Sequence, residues 1–538
     1  RIQASPSSGR GLQISGQPTL VSLELLVDTS LSVANQFSVD EGILVDGVTL
    51  ILEDDGTFAS SMELDNGTLV ITGEPVLSGQ LSQSGASSIH LREGALLTTN
   101  QAVGLGTAVL SLEGPGALAN VQPFVLDQSG VGLDLSDNVS VSGAVELGSG
   151  AFRVSGDATL AGSLSLDNDG IMEVQDNRTL TYSGPSLTIG SRSLNLTGGG
   201  SLLNTEAVIL DQSESLLSFD GISQTGPVLV SAETQAGRGL KVLKSVQVSS
   251  LSIDNESETT LLLSDSLSGE LSLASESILS VSGSGSLASS VDLAGGSLRF
   301  LDGLEVKGPV SLSSDSVLEV GQNRTLSQTH SDGVLLGAHG LTLVGGGRIE
   351  SSGAIRLNHS QSRLVLSGIT LDNASTTAAS QGLSVENASG IETLSILHPT
   401  PLSIDQGATL AGHIDLAGDG ILKLTGPGEV LSTLGFSGGD LRVEKSMSWT
   451  GSWIQSDNAS LEIVAGETLS YGDGDFKLGI HALEIKGAGD FELTGQQSAL
   501  VLDQPQSLLD LSGTGLAGRV RIQASPSSGR GLQISGQP

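Results

Sequence analysis

The last eighteen residues of the chain repeat the first eighteen letter for letter. Residues 1–18 and residues 521–538 both read Arg-Ile-Gln-Ala-Ser-Pro-Ser-Ser-Gly-Arg-Gly-Leu-Gln-Ile-Ser-Gly-Gln-Pro. Self-similarity at a fixed spacing is the signature of repeat architectures. The return after 520 residues therefore predicts one period of a tandem array, followed by the first step of the next period. We expect a natural protein built from several such periods.

A shorter repeat lies inside this period and is marked by four landmarks that recur in the same order. They are a strand core (Leu69-Val-Ile71, Phe152-Arg-Val154, Leu298-Arg-Phe300, Leu441-Arg-Val443), a turn (Gly94-Ala-Leu96, Arg178-Thr-Leu180, Arg324-Thr-Leu326, Glu467-Thr-Leu469), a glycine step (Gly114, Gly198, Gly345, Gly487) and a polar turn (Leu126-Asp-Gln128, Leu210-Asp-Gln212, Leu357-Asn-His359, Leu502-Asp-Gln504). The spacing of the second landmark predicts internal repeats of ~145 residues and one short copy of ~84 residues.

The short copy lacks ~60 residues between Asp127 and Arg153, because a Gly-Leu landmark present at Gly11-Leu12, Gly239-Leu240 and Gly382-Leu383 has no counterpart there. A loss of this size would disrupt a globular core, whereas in a stack of coils it removes whole coils and lets the flanks close up. If the short copy has four coils and the missing block three, the length of each coil is roughly 20–21 residues.

The local pattern is that of short strands with one buried face. Ser193-Leu-Asn-Leu-Thr197 and Ser163-Leu-Ser-Leu-Asp167 alternate apolar and polar residues, and such alternation favours β-structure. We predict an all-β fold, one parallel β-solenoid (β-helix) continuous from residue 1 to residue 538, with residues 1–520 as one period. At ~4.8 Å between adjacent strands, roughly 25 coils would form a rod on the order of 120 Å long per period.

Composition excludes several functions. Cysteine is absent, which rules out disulfides, thiolate metal sites and a cysteine nucleophile. The net charge of −36 argues against nucleic acid and against anionic membranes, since both would repel the chain. No apolar run approaches the length of a membrane span, and this segment carries no signal peptide. The expected partner is another copy of the protein, along the tandem array, with lateral contacts left open.

No catalytic, metal or cofactor site is predicted. The seven histidines, at 90, 330, 339, 359, 398, 413 and 481, lack metal-site spacing. Asp167-Asn-Asp-Gly170 and Asp473-Gly-Asp475 could ligate Ca²⁺ but fit solvated turns better. Arg178 and Arg324 could serve a sugar-cleaving β-helix, but they belong to the internal repeat, whereas a catalytic residue is expected once. We expect structural roles for them.

The Ser-Leu-Ser-Leu strands, the Asn-Arg-Thr-Leu turns at Asn177 and Asn323, the Leu-Thr-Gly-Gly-Gly step at Leu196 and the lack of cysteine resemble large repetitive β-helical surface proteins of bacteria, of the filamentous-haemagglutinin and giant-adhesin kind. The resemblance implies secretion and an extracellular, cell-surface location. It favours a structural repeat of a surface filament, appendage or sheath that is not an enzyme. The alternatives are the stalk of an adhesin and, more distantly, a polysaccharide-active enzyme with a unique carboxylate cluster on a groove.

Overall fold

The chain folds into two compact units, residues 1–270 and residues 271–538, in the computed structural model. The structure describes residues 12–14, 19–25, 27–33, 35–254, 256–378, 380–496 and 498–535. Regular secondary structure in these ranges is entirely β-strand. The same ranges hold no helix with the length and apolar character that a membrane crossing requires.

Each unit is a parallel β-solenoid whose coils contribute strands to three faces. The first face carries thirteen described strands in each unit. In the first unit they are Leu12–Ile14, Thr29–Val33, Thr49–Leu52, Thr68–Ile71, Ser87–Leu91, Val109–Glu113, Gly132–Leu135, Ala151–Val154, Gly170–Val174, Ser193–Thr197, Leu216–Asp220, Gly239–Lys244 and Glu258–Leu263. In the second unit they are Ile278–Gly283, Ser297–Phe300, Ser316–Val320, Gly340–Gly345, Arg363–Ser367, Gly382–Val385, Thr400–Ile404, Ile421–Leu424, Asp440–Val443, Ala459–Ile463, Ala482–Gly487, Leu508–Ser512 and Gly531–Ser535.

The other two faces are built from shorter strands. The second face of the first unit comprises Thr19–Leu20, Gln36–Val39, Thr57–Phe58, Val76–Leu77, Leu96–Thr99, Ala117–Asn120, Val139–Val141, Ala158–Leu160, Thr179–Tyr182, Ser201–Asn204 and Ser223–Gln224. The third face of this unit comprises Leu23–Leu25, Ile43–Asp46, Met62–Asp65, Leu81–Gln83, Phe124–Leu126, Val145–Leu147, Leu164–Leu166, Leu187–Thr188, Val208–Leu210 and Pro227–Val230. Two longer strands bend around the corner between these faces, Val246–Ile253 and Ser266–Leu273. The boundary between the two units falls within the second of these strands.

The second unit repeats this arrangement. Its second face comprises Ser286–Leu287, Leu304–Val306, Thr325–Gln328, Arg348–Ser351, Glu429–Val430, Met447–Trp449, Thr468–Tyr471, Asp490–Leu493 and Gly515–Ala517. Its third face comprises Ser290–Ala294, Val310–Ser314, Val334–Leu335, Ile355–Leu357, Thr433–Ser437, Trp453–Gln455, Phe476–Lys477, Ala499–Leu502 and Arg519–Ile522. The strands Thr370–Thr376, Ser389–Ile396 and Thr409–Ala417 bend across both faces.

Apolar side chains stack in columns along the inside of each unit. Leu50 pairs with Leu69, and Leu69 pairs with Ile89 one coil further on, and all three are fully buried. Their neighbours in sequence point outward, because successive side chains of a strand alternate between its two faces. The all-β parallel solenoid predicted from the alternation is confirmed.

Coil length is close to the value predicted from the internal repeat, but it varies at the corners. Paired residues on the first face lie 19 positions apart at Leu50 and Leu69, and 26 positions apart at Leu483 and Leu509. The extra residues are accommodated where the chain turns, so the strands keep their pairing. The described residues form about 26 coils, the last of which begins the next period, so one period contains 25 coils, as predicted.

The short internal copy contains fewer coils than a long one. The first face takes four steps between Leu69 and Phe152, and seven steps between Leu298 and Leu441. The difference is three whole coils.

Six aromatic residues of the second unit gather in one part of its interior: Phe436, Trp449, Trp453, Tyr471, Phe476 and Phe491. Trp453 lies at the centre, with ring centroids 4.9 Å from Tyr471, 5.4 Å from Phe476 and 5.7 Å from Phe491. Edge-to-face and offset ring pairs add to the apolar burial that they already provide. Here the interior is aromatic rather than aliphatic.

Candidate functional site

The second landmark is a corner that recurs in all four internal copies. The backbone N–H of Arg178 donates to the carbonyl oxygen of Gln175 at 3.0 Å, and Arg324 donates to Gly321 at the same distance. Asn177, which precedes Arg178, has a φ of +59°. Asparagine tolerates this left-handed conformation better than most residues. The Asn-Arg-Thr-Leu sequence therefore builds a tight turn.

The structure corrects the equivalence that the sequence suggested for the first copy. The turn hydrogen bond is donated there by Ala95, to Arg92, and the inward leucine is Leu97, which is fully buried. Leu96 points outward. The counterpart of Arg178 is thus Ala95 rather than Gly94, and Gly94, with a φ of +78°, takes the place of Asn177.

The glycine step marks the closest approach of two coils. Gly114, Gly198, Gly345 and Gly487 have φ values between +95° and +110°. A Cβ atom on them would lie 2.0 to 2.3 Å from a carbonyl oxygen of the coil before, which belongs to Leu91, Val174, Val320 and Ile463 respectively. Only glycine fits a position that combines positive φ with so close a backbone. The glycine step is therefore a packing device.

The fourth landmark clamps a glycine corner of the coil before it. Asp211 Oδ1 accepts a hydrogen bond from the backbone N–H of Gly190 at 3.0 Å, and Ser215 Oγ donates to the carbonyl oxygen of the same glycine at 2.5 Å. Gly190 has a φ of +61°. Side chains from the next coil thereby satisfy both backbone groups of this corner. We call this pair of side chains, the aspartate or asparagine and the serine, the corner clamp.

The corner clamp recurs twice in the second unit. Its members there are Asn358 and Ser362 on Gly337, with distances of 2.9 and 2.5 Å, and Asp503 and Ser507 on Gly479, with distances of 3.0 and 2.5 Å. In the short copy Val131 stands where the serine would be. The sequence revealed the Leu-Asp-Gln landmark but not its serine, although the serine follows five positions after the leucine in all three long copies.

The outward side chains of the first face form ion pairs between neighbouring coils. Arg153 pairs with Glu173 at 3.7 Å, Arg299 with Glu319 at 2.7 Å, and Arg442 with Glu462 at 3.7 Å. All six side chains are between one third and one half exposed. Each such pair contributes about 0–1 kcal/mol. They are a repeated surface feature and bring no reactive group together.

Arg178 and Arg324 lie at corresponding corners of their internal copies. Arg178 is exposed at its corner. Arg324 Nη2 lies 3.5 Å from Asp302 Oδ1, in an ion pair whose members are both about half exposed. Each arginine serves the same turn in its own copy.

The histidines and the acidic turns lie apart from one another. His90 contacts Glu113 at 3.2 Å, and His359 Nδ1 accepts from the backbone of Gln361 at an exposed corner. Asp169 accepts from the backbone N–H of Ser193 at 2.8 Å. Across the described ranges, no three His, Asp or Glu side chains are grouped as a metal ion would require.

Asp475 takes part in an ion pair with the repeated terminal segment. Its Oδ2 lies 2.5 Å from Arg521 Nη1. Arg521 is the first residue of the segment that repeats residues 1–18. The acidic turn therefore anchors the coil in which the next period begins.

One groove holds several carboxylates, a feature that the polysaccharide-active alternative requires, although its residues were not identified from the sequence. It lies in the first unit, on the third face, has a volume of about 370 Å³, and contains Glu24, Glu41 and Glu63 among serines and backbone. Leu44 lies between Glu24 and Glu63 in the strand register. Among the residues that the structure describes, no lysine or arginine lines it. Three carboxylates from separate coils were not recognisable in the sequence, because coil register had to be known first.

Polar side chains are also buried at the corner between the second and third faces. Asn120 donates to the carbonyl oxygen of Gln122 at 2.7 Å, and Asn204 donates to that of Glu206 at 2.6 Å. Asn204 Oδ1 also accepts from the backbone of Gly226 at 3.1 Å. These equivalent asparagines satisfy backbone groups that the turning chain would otherwise leave without partners.

The two copies of the repeated segment occupy the same kind of position in the two units. In the first unit, Leu12 and Ile14 pair with Leu31 and Val33 on the first face. In the second unit, Leu532 and Ile534, which are the same residues one period later, pair with Leu509 and Leu511 on the first face. Gly11, part of the Gly-Leu landmark, lies outside the described residues, but its counterparts Gly239 and Gly531 begin first-face strands.

Comparison with protein-family models, with curated proteins and with solved structures finds no match to this chain.

Proposed function

We propose that this chain is the structural repeat of a longer protein, in which tandem periods stack coil upon coil into an extracellular filament, appendage or sheath at the cell surface. The observation that carries the proposal is the position of the repeated segment. The same sequence pairs with the following coil at Leu12–Ile14 and with the preceding coil at Gly531–Ser535. A period joined to the next would therefore meet it through an ordinary coil.

The roles of the repeated residues support a function without catalysis. The glycine step, the corner clamp and the Asn-Arg-Thr-Leu corner all hold one coil against its neighbour. Residues that are repeated for packing serve length and regularity, which a fibre requires. The resemblance to bacterial β-helical surface proteins supports the extracellular location.

Electron microscopy of the native protein tests the proposal. We expect extended filaments with an axial periodicity that corresponds to one period of 520 residues. Compact particles without axial periodicity would contradict it. A non-repetitive terminal domain that binds a receptor, found in the full-length protein, would favour the adhesin stalk instead.

A further inference from the structure

An internal cavity lies between the three faces of the second unit. Its volume is about 20 Å³, and most of its lining is aliphatic, with Leu343 on the first face, Leu326 on the second and Val334 on the third. Two of the lining residues are polar, Gln328 and Ser351, which are 3% and 9% exposed. The cavity therefore combines apolar walls with two buried polar side chains.

The amide of Gln328 has a hydrogen-bond partner at only one of its two ends. Gln328 pairs with Ser351 in the next coil, and its Oε1 lies 3.1 Å from Ser351 Oγ. The Ser351 hydroxyl also donates to the carbonyl oxygen of Gly353. Gln328 Nε2 has no partner among the described residues. Turning the amide by 180° would leave Oε1 without a partner instead, so one polar end faces the cavity in either orientation.

Other buried polar side chains that end second-face strands reach the backbone of the corner instead. The Tyr182 hydroxyl donates to the carbonyl oxygen of Pro185 at 2.6 Å, and Asn204 Nδ2 donates to that of Glu206 at 2.6 Å. Gln328 also ends a second-face strand, but its free amide end lines the cavity. Burying an amide group without a hydrogen bond is costly, so a polar partner inside the cavity is favoured.

We propose that this cavity is a binding site for one water molecule, held by the free amide end of Gln328 and by Ser351 Oγ. The volume of about 20 Å³ exceeds the roughly 10–15 Å³ that a water molecule needs, and two polar partners are enough to hold it. Water both donates and accepts, so it fits either orientation of the amide. In the part of the chain that the structure describes, no charged side chain lines the cavity, which disfavours an ion. The site lies inside one unit and does not depend on assembly into a filament.

A second internal cavity, in the first unit, provides a comparison within the same chain. Its volume is about 10 Å³, and its lining includes Phe219, Leu240 and Leu261. Among the described residues, every side chain that lines it is apolar. A small cavity with apolar walls stays without water, because water would lose hydrogen bonds there. We therefore expect bound water in the second unit's cavity and none in the first unit's cavity.

A crystal structure of the 538-residue chain, at a resolution that shows ordered water, tests the site directly. We expect one density peak inside the second unit's cavity, about 2.7–3.2 Å from the Gln328 amide. The cavity beside Phe219 should show no peak. In the Gln328→Met variant, which keeps the length of the side chain and removes the amide, the peak should be absent.

Oxygen-17 magnetic relaxation dispersion provides a second measurement in solution, because it counts the water molecules that stay bound inside the protein. The count should fall by one from the native chain to Gln328→Met. Gln322→Met is the matched control, since Gln322 is exposed and precedes the same second-face strand. This variant should keep the native count, and circular dichroism should show an unchanged β-fold in both variants.

Four results would overturn the inference. They are the absence of a peak beside Gln328, peaks of equal strength in both cavities, density too large for a single water molecule, and a water count that is the same in Gln328→Met as in Gln322→Met. If Gln328→Met does not fold, the map of the native chain decides alone.

Discussion

A Cβ atom on Gly198 would lie 2.0 Å from the carbonyl oxygen of Val174, one coil earlier. The same restriction applies to Gly345 and Val320, at 2.1 Å. A side chain at these positions would have to push neighbouring backbones apart, in addition to accepting a positive φ. The glycine step therefore sets how closely successive coils can pack at this corner.

Gly198→Ala is expected to destabilise the first unit by about 2–4 kcal/mol, from the left-handed backbone and from the forced shift of the coils. Urea unfolding followed by circular dichroism measures the loss. The control is Gly94→Asn. Gly94 also has a positive φ, but open space surrounds its Cβ position, and Asn177 already occupies the equivalent corner. The control should change stability by less than about 0.5 kcal/mol. Equal losses in the two variants would contradict the role of the Val174 contact.

Substitutions in the corner clamp are expected to change the stability of the first unit and the rate of hydrogen exchange at Gly190. Ser215→Ala leaves the carbonyl oxygen of Gly190 without its donor and should cost about 1–3 kcal/mol. Asp211→Ala should speed hydrogen exchange at the Gly190 amide. Asp211→Asn should not, because Asn358 makes the same bond to Gly337. Exchange in Asp211→Asn as fast as in Asp211→Ala would show that the side-chain oxygen does not hold this corner.

Tyr471 predicts a loss of stability at high pH. Burial, with a smaller contribution from the Asp473 carboxylate, raises the pKa of Tyr471 from 10.0 to about 12. The unfolded chain therefore loses this proton first. The stabilisation is fully present below pH 10 and is lost as the pH rises towards 12. Unfolding of the native chain and of Tyr471→Phe, followed in urea from pH 9 to pH 12, should show a smaller decline in the variant. Parallel declines would contradict the assignment. Phenylalanine also removes the hydrogen bond to the carbonyl oxygen of Asp473, which lowers stability at every pH.

Substitutions in the acidic cluster around Arg348 are expected to change the free energy of unfolding by unequal amounts. Arg348 Nη2 lies 2.6 Å from Asp372 and 2.5 Å from Glu392. Burial nevertheless raises the pKa of Asp372, so desolvation outweighs the attraction of the arginine. Asp372→Asn should therefore change stability at pH 7 by less than about 0.5 kcal/mol, whereas Arg348→Met leaves the carboxylates facing one another and should cost about 1 kcal/mol. Urea unfolding at pH 7 compares the two variants, and a larger loss of stability in Asp372→Asn than in Arg348→Met would contradict the prediction.

Glu467 supplies the opposite pH dependence in the same unit. Hydrogen bonds from the Ser446 side chain and backbone, at 2.8 and 2.7 Å, lower the pKa of Glu467. Its stabilising contribution is present above the ordinary carboxyl pKa and is lost as the pH falls through the lowered value. Glu467→Gln should thus weaken the second unit at neutral pH and have little effect in acid, as urea unfolding at the two pH values would measure. An effect that persists undiminished at low pH would contradict this interpretation.

The sequence predicted the coil but not the contacts between coils. Ser193-Leu-Asn-Leu-Thr197 alternates clearly, and Leu194 and Leu196 are indeed fully buried. Leu96-Leu-Thr-Thr99 carries no such contrast, since two leucines and two threonines fit either orientation. The sequence alignment of the internal copies was therefore wrong by one residue at this corner. A shift of one residue in a strand exchanges its inward and outward faces. Local pattern is insufficient where neighbouring residues have equal polarity.

Contacts between residues that are far apart in the chain could not be predicted from the sequence, for a related reason. Ser215 and Gly190 are 25 positions apart, and the coils between paired first-face strands differ in length. A side chain can be assigned to the inside by alternation, but its neighbour in the next coil depends on the length of every intervening corner. The cluster around Trp453 and the groove at Glu63 were missed for this reason.

The variable corners have an evolutionary consequence. Since the short coil from Leu50 to Leu69 and the long coil from Leu483 to Leu509 keep the same strand pairing on the first face, small insertions at a corner leave neighbouring coils undisturbed. A gene of this kind can acquire loops with new binding properties one at a time, and unequal recombination can change the number of coils without redesigning the interior. Surface diversity and molecular length are thereby open to selection independently.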